Sequence, residues 1–307
     1  MRSAQFQLHA SVEDSHWWFV GRRRIMRDLV RQVLPASGHS MVVDVGCGTG
    51  ANLAALAADY NCVGIDPSHE AIGLARCRFP GLRFLCGHAP AHLGGVMDEA
   101  RLILIMDVLE HVPDDYAFLS ELLAASAPGT YFLVTVPANP SFWSAHDESN
   151  GHYRRYDVDR LQRVWAGLPV TTLLLSHYNS RLYFIANAVR SWSRWRGRAT
   201  GRAGTDVSLP IRPINRALQA IFAGESRALV DLLRRRRRRG YSAGLSLVAL
   251  LRRDPGQIVV RSRPDDVAPD CYDPVTGRRH FEIRHHPRHD TRGDTCDVAD
   301  HHRRPVL

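Results

Sequence analysis

Short apolar runs alternate with helix-forming segments through the first half of the chain, and this alternation constrains the fold more than any other feature. Continuous apolar runs are typical of parallel strands buried on both faces. Right-handed crossovers between such strands give an open, doubly wound α/β sheet with its ligand crevice at the strands' carboxyl ends. The runs cover residues 41–46, 62–66, 82–87, 101–107 and 130–137.

Periodicity and helix-capping residues place the remaining elements. The predicted order is one amphipathic helix opening after Ser11, helices over 69–78 and 114–126, a polar loop over 139–156, a helix over 157–165, a strand over 170–176, helices near 180–195 and 211–236, and a last strand over 244–252. From residue 254 onward Pro, Asp, Arg and His dominate and apolar periodicity is almost absent. We therefore predict one domain over residues 1–253 and a disordered polar tail over residues 254–307.

A glycine-rich turn, "VVDVGCGTG", follows the first strand. Its glycines let the backbone approach a ligand closely, and the next helix offers free N–H groups. The turn also satisfies the dinucleotide fingerprint G-x-G-x-x-G/A, so alone it leaves two classes of ligand open. Asp44 would repel a pyrophosphate but attract a cation, and Asp66 ends the second strand where its carboxylate can accept from both ribose hydroxyls. Together these residues favour a positively charged nucleoside.

Three motifs in this order and spacing, "VVDVGCGTG", "VGIDPS" and "LIMDVLEHVPDD", resemble those of class I S-adenosylmethionine-dependent methyltransferases. The segments "HWWFVGRRRIM", "SFWSAHDESNGHYRRYD" and "GLSLVALLRR" resemble a bacterial subgroup akin to ubiquinone-type O-methyltransferases. The resemblance implies a Rossmann-like, seven-stranded, mostly parallel sheet, S-adenosyl-L-methionine as cofactor and methyl transfer to a small molecule, on oxygen. It divides the domain into an N-terminal lid helix (1–38), a cofactor-binding half (39–137) and a substrate-binding half (138–253).

The predicted cofactor contacts lie in the glycine turn and after the first four strands. His88 departs from the resemblance, because many relatives carry there an acid that binds the adenine amino group; a neutral histidine could accept a hydrogen bond instead. The full set is Asp44, Gly46, Cys47, Gly48, Thr49, Gly50, Asp66, Pro67, His88 and Asp107.

His111, after the fourth strand, is the candidate catalytic base. Holding the acceptor beside the cofactor supplies most of the acceleration, and a histidine with an ordinary pKa could also remove a proton. The alternative is that His111 caps a helix and packs a strand end.

The loop after the fifth strand carries the predicted substrate contacts. Paired arginines suit a carboxylate or phosphate group, although arginines and acids of a solvated loop can also pair with each other. The predicted contacts are His146, His152, Arg154, Arg155 and Tyr156.

The net charge of +9 is weak evidence for an anionic partner. All forty basic residues are arginine, which indicates a coding bias. The six arginines at 234–239 follow a predicted helix end, where they complement the helix dipole, so we expect no nucleic-acid partner. Aromatic and apolar residues near arginines at 184–196 leave peripheral contact with anionic lipid open. An RNA methyltransferase, a membrane-surface methyltransferase acting on a quinone or lipid, and a cofactor-binding protein without turnover remain alternatives.

No secretory leader or long apolar run is present, so we expect a cytoplasmic protein. The cysteines are scattered without a CxxC pair, which predicts no disulfides. The histidines of the tail match no ligand spacing, and no metal is expected.

Overall fold

Seven strands form one sheet in the computed structural model, which describes residues 3–184, 209–260, 271–273 and 278–280. The order is β3-β2-β1-β4-β5-β7-β6. Strands β1 to β5 pair in parallel, and β7 lies antiparallel between β5 and β6. The predicted doubly wound, mostly parallel sheet is confirmed. The strands are β1 (Met41–Val45), β2 (Asn61–Asp66), β3 (Arg83–Cys86), β4 (Ala100–Met106), β5 (Tyr131–Pro137), β6 (Val170–Tyr178) and β7 (Ser246–Arg253).

The central strand β1 sets the position of the ligand crevice. Val45 lies opposite Ile65 of β2 and Ile105 of β4, so the carboxyl ends of these three strands lie side by side. Strand order reverses between β1 and β4, and this switch point is where α/β sheets of this type bind ligands.

Helices cover both faces of the sheet and bury two apolar layers. One layer contains Leu29, Leu104 and Phe222, and the other contains Ile105 and Leu119. The helices are α1 (Ser3–Val12), α2 (Trp17–Val33), α3 (Ala51–Ala54), α4 (His69–Arg78), α5 (Val96–Glu99), α6 (Asp115–Ala125), α7 (Ala145–Asn150), α8 (Val158–Arg163), α9 (Arg212–Ala223) and α10 (Ser226–Leu233), with 3₁₀ turns at Leu109–His111 and Pro140–Phe142.

The prediction of one N-terminal helix opening after Ser11 is wrong, because two helices meet at residues 13–16. The Ser11 hydroxyl donates to Leu8 O at 2.7 Å within α1 and does not cap a new helix. α2 begins after His16, whose Nδ1 accepts from the Trp18 amide at 3.3 Å.

Three other predicted segments differ from the structure. The loop predicted over 139–156 contains a 3₁₀ turn and α7, because Ser144 and Asp147 form a capping box. The helix predicted over 211–236 is divided into α9 and α10 at Gly224. The helix predicted near 180–195 lies outside the described residues beyond position 184.

The tail was predicted to have no secondary structure, and its described part corrects this. Two short strands, β8 (Cys271–Asp273) and β9 (Arg278–His280), pair antiparallel. Apart from residues 254–260, the rest of the tail prediction lies outside the described residues. Within the described ranges, no helix has the length and apolar character needed to cross a membrane.

Candidate active site

The glycine turn between β1 and α3 has backbone conformations that need glycine. Gly46, Gly48 and Gly50 have φ values of +71°, +54° and +89°, which side chains disfavour. Gly46 N donates to Ile65 O at 2.8 Å, which fixes the turn to the end of β2. A Cβ at Gly46 would lie 2.5 Å from Val108 Cγ2, whereas a Cβ at Gly48 would meet no atom within 4 Å. The turn therefore packs against protein at Gly46 and faces open space at Gly48.

Asp44, in β1 just before this turn, is a buried carboxylate without a protein partner. Its side chain is buried, and neither oxygen has a hydrogen-bond partner among the described residues. Burial raises its pKa to about 7, the Arg22 guanidinium opposes that rise, and the Asp66 carboxylate adds to it. An unpartnered buried carboxylate is costly. The site therefore fits a ligand that presents a cationic hydrogen-bond donor to Asp44.

Asp66, at the end of β2, is already held by the backbone. Its Oδ2 accepts from the Gly48 amide at 3.0 Å and its Oδ1 from the Ser68 amide at 2.8 Å. Burial raises its pKa, and these two hydrogen bonds oppose the rise. Each carboxylate oxygen can accept further bonds, so Asp66 remains able to hold a ribose while it orients the glycine turn. Ser68, not Asp66, caps α4, since its Oγ accepts from Ala71 N at 3.2 Å.

Pro67 and His88, two further predicted cofactor contacts near Asp66, have different surroundings. Pro67 lies between Asp66 and the cap of α4, and its carbonyl lies 3.8 Å from Cys86 Sγ. His88 is exposed, its amide donates to His92 Nδ1 at 3.1 Å, and the amide of the preceding Gly87 donates to Asp66 O at 3.1 Å. His88 thus lies on the Asp66 side of the crevice, where a role towards adenine stays a prediction.

The N-terminal segment closes over the glycine turn. Thr49 Oγ1 donates to Glu13 Oε1 at 2.6 Å. Arg78, at the end of α4, pairs with Glu13 and donates to Thr49 O at 3.0 Å. Cys47 is buried beneath, and burial raises the pKa of its thiol well above the usual value. Thr49 and Cys47 therefore hold the turn in place through contacts with the protein.

Arg22 of α2 brings a buried cation to the end of β4. Its Nη1 forms an ion pair with Asp107 Oδ2, and its guanidinium lies 4.4 Å from the centre of the Trp18 ring. Asp107 has φ +57° and its Oδ1 accepts from Thr135 Oγ1 at 3.2 Å. The aromatic–arginine contact on this helix is therefore formed by Trp18 and Arg22. Arg24 is largely exposed and pairs with Asp28.

Glu110, His111 and His152 form a cluster beside Asp107. Glu110 is buried and its Oε2 has no hydrogen-bond partner among the described residues. Burial raises its pKa to about 8. The His111 and His152 rings meet edge to face with centroids 4.6 Å apart, and burial lowers the pKa of His111 to about 3. One ligand atom from each residue lies within 4.8 Å of the others, so the three could hold a divalent cation.

Asp147 organises the loop opposite this cluster. Its Oδ1 accepts from His152 Nδ1 at 3.0 Å and from Arg155 Nε at 2.7 Å, while its Oδ2 accepts from the Ser144 amide at 2.9 Å. These hydrogen bonds hold its pKa below the usual range despite burial. His146, in the same loop, has its Nε2 3.0 Å from Asn150 Nδ2.

The remaining residues predicted to bind substrate are buried within the protein. Arg155 Nη1 donates to Ala138 O at 3.2 Å, and Arg154 Nη1 donates to Val112 O at 2.6 Å. The Tyr156 hydroxyl donates to Asp115 Oδ2 at 2.8 Å. Arg154, Arg155 and Tyr156 thus tie the loop to the end of β5 and to α6 through these hydrogen bonds.

Sequence reasoning missed four polar residues of the site. Asp147 and Glu110 lie inside the quoted motifs, and Arg22 follows Trp18 by one helical turn, which was an available signal. Glu13 had no comparable signal, since its role depends on how the N-terminal segment turns back over residue 49.

The fold and this crevice define the class of Rossmann-like, nucleoside-binding methyltransferases. A family model described as a methyltransferase domain matches residues 19–183. The chain belongs to this family, whose class I members use S-adenosylmethionine, and the recognition made from its motifs is confirmed.

Curated relatives align over part of the chain. It is 29% identical over 181 residues to a trans-aconitate 2-methyltransferase of Rhizobium leguminosarum bv. trifolii, which covers 56% of this chain and 66% of that protein. It is 31% identical over 121 residues to the trans-aconitate 2-methyltransferase of Azoarcus sp., and the alignment covers 38% of this chain and 47% of that protein. It is 30% identical over 105 residues to a ubiquinone biosynthesis O-methyltransferase of Aeromonas salmonicida, and the alignment covers 32% of this chain and 44% of that protein. The chain thus spans about half the length of most of these relatives.

Among solved structures, the plantazolicin methyltransferase BpumL in complex with SAH aligns with a TM-score of 0.48 and 12% identity. That alignment covers 82% of this chain and 90% of the other.

Proposed function

We propose that this protein transfers the methyl group of S-adenosylmethionine to an oxygen atom of a small, carboxylate-bearing acceptor. The observation that carries the cofactor assignment is the unpartnered, buried carboxylate of Asp44 beside the open side of Gly48. A pyrophosphate would be repelled there, whereas a ligand with an ammonium group would satisfy the carboxylate.

Residues at the ends of two strands and one residue of α2 would hold the cofactor. Asp44 would accept from its amino group, Asp66 would accept from its ribose hydroxyls, and Arg22 is a buried cation suited to its carboxylate. The bound cofactor supplies an electrophilic methyl group on a sulfonium. α1 and the turn that contains Glu13 exclude water above the glycine turn.

The surroundings of His111 favour an acceptor that is already ionised. Its ring packs against His152, it hydrogen-bonds the backbone of Asn150 and Gly151, and its pKa is lowered to about 3. A group with so low a pKa is a poor proton acceptor near neutral pH. A carboxylate needs no such base, because its oxygen is a nucleophile without loss of a proton. We therefore propose that His111 lines the acceptor pocket and does not act as the base.

The identity of the acceptor is also supported by the relatives, several of which are named for trans-aconitate. His146 and His152 remain the proposed acceptor contacts. Arg154, Arg155 and Tyr156 shape the wall behind them, because they hydrogen-bond to Val112 O, Asp147 and Asp115.

The test is to incubate the protein with methyl-labelled cofactor and two panels, small polycarboxylic acids including trans-aconitate, and phenols of similar size. We expect label in the first panel, released as methanol by mild alkali because methyl esters hydrolyse and methyl ethers do not. Alkali-stable label in the phenols would contradict the proposed acceptor and leave the cofactor assignment intact.

Two alternatives give other results in the same experiment. A cofactor-binding protein without turnover would bind the cofactor and label no acceptor in a host extract. An RNA methyltransferase would place label in the RNA fraction of that extract.

A further inference from the structure

We infer that the outer surface of α9 docks onto an anionic lipid membrane. Seven large apolar side chains are exposed among the described residues, and five lie in or near this helix. They are Phe184, Leu209, Ile211, Ile214 and Ile221. A cluster of this kind is unusual on a surface that faces only water.

α9 has two opposite faces. Its inner face holds Asn215, which accepts from the Trp17 amide at 2.9 Å, and Phe222, which stacks on Tyr178 at 5.8 Å between ring centroids. Its opposite side, the outer arc, is exposed and uncharged along its whole length. The outer arc consists of Pro213, Ile214, Ala217, Ala220 and Ile221.

The segment that follows β6 extends this apolar surface. Arg181 Nη1 donates to Ile221 O at 3.4 Å, so the start of that segment lies beside the end of α9. Phe184, three residues further on, has 74% of its surface exposed. An exposed aromatic side chain therefore lies in a segment that begins beside the end of α9.

Charge around the outer arc favours an anionic partner. Arg212 and Arg216 are exposed on α9 at its border, and the helix contains no acid. Arg181, which donates to the last turn of α9, is exposed as well. Apolar side chains bordered by arginine are what an anionic bilayer surface binds, through apolar burial and attraction to its headgroups.

Other partners fit these observations less well. A second copy of the chain would bring arginines of like sign together, which opposes association. Single-stranded RNA is bound through aromatic platforms, whereas the outer arc offers isoleucine, proline and alanine.

The test is flotation of the full chain with vesicles of phosphatidylcholine, with and without phosphatidylglycerol. We expect binding only to the anionic vesicles, and release when NaCl rises from about 0.1 M to about 1 M, since the Debye length falls from ~10 Å to ~3 Å. Equal binding to both vesicle types, or no binding to either, would overturn the inference. Binding to single-stranded RNA with no vesicle binding would also overturn it.

A variant pair locates the surface. Ile214→Asp with Ile221→Asp should lower the vesicle partition coefficient at least tenfold. The control, Ala58→Asp with Ala124→Asp, makes the same charge change at exposed positions elsewhere and should lower it less than threefold. Similar losses in both pairs would show a general charge effect and would contradict docking through α9.

Hydrogen exchange of the wild-type protein covers the case in which a variant fails to fold. Bound vesicles should slow exchange across α9 and leave α6 unchanged. Unchanged exchange in α9 would contradict the inference regardless of the variants.

Discussion

The two halves of the crevice treat buried polar groups in opposite ways. In the cofactor half, Asp44 keeps both oxygens without a partner and Gly48 faces open space. In the acceptor half, Asp147 accepts four hydrogen bonds, and Arg155 is bound by Asp147 and a backbone carbonyl. The first half has binding capacity left for a ligand, whereas the second uses its strongest polar groups to hold its own shape. Binding and stability should therefore respond to mutation differently in the two halves.

The largest effect of a mutation on stability should be found in the acceptor half. Asp147→Ala leaves the buried Arg155 guanidinium without its carboxylate, and breaking a buried pair in this way costs about 3–5 kcal/mol of unfolding free energy. Asp157→Ala is the control, because it removes only the cap of α8, where Asp157 accepts from Arg160 N at 2.7 Å, at a cost of about 1 kcal/mol. Denaturant unfolding measures both. Equal losses of unfolding free energy in the two variants would show that the Asp147 hydrogen bonds stabilise the fold no more than a single helix cap does.

In the cofactor half, a mutation that removes a buried charge should increase the free energy of unfolding. Asp44→Asn removes a buried charge that has no partner, so at about pH 8 the free energy of unfolding without ligand should rise by about 1–3 kcal/mol. Thermal unfolding of the ligand-free proteins checks it. A loss of stability would mean that Asp44 already has a partner within the fold.

The pH dependence of stability should carry the same signature. Asp44 and Glu110 have pKa values raised to about 7 and about 8 in the folded protein, whereas both groups ionise near pH 4 in an unfolded chain. Between those values the two carboxyls keep their protons in the folded state, but His9 and His111, with pKa values lowered to about 4 and about 3, have lost theirs and oppose this effect below about pH 6.5. Stability should therefore fall as pH rises from about 6.5 to about 8, by at most roughly 1.4 kcal/mol per unit for each of the two carboxyls. Denaturant unfolding over this range measures the slope, and Asp44→Asn should make it shallower. A slope unchanged in that variant would contradict the raised pKa.

A smaller effect separates the open side of the glycine turn from an ordinary turn. Gly48 and Gly38 have φ values of +54° and +72°, and a Cβ at either would meet no protein atom within 4 Å. Alanine at each position should cost about 1 kcal/mol of unfolding free energy through backbone strain. Only Gly48→Ala should also weaken cofactor binding, about tenfold, because its methyl group enters the ligand space. Equal cofactor affinities in the two variants would place the ligand elsewhere.

The same contrast explains what the sequence could predict. The sheet, the glycine turn and Asp66 follow from local rules, since strand runs, positive φ and strand ends leave signals in neighbouring residues. The roles of Arg154 and Arg155 do not follow, because paired arginines have the same pattern whether they face a substrate or backbone carbonyls. Those carbonyls lie at Val112 and Ala138, far away in sequence. The break between α1 and α2 was missed because the residues between these helices are held by a part of the chain far away in sequence. Asp14, for example, pairs with Arg78.

The most direct test of the central claim is a calorimetric titration of the wild-type protein and Asp44→Asn with S-adenosylmethionine and with a nicotinamide dinucleotide. We expect the wild type to bind S-adenosylmethionine at one site per chain. In Asp44→Asn that affinity should be about 100-fold lower, since a buried ionic hydrogen bond is lost. No heat with S-adenosylmethionine, together with dinucleotide binding that tightens in Asp44→Asn, would contradict it.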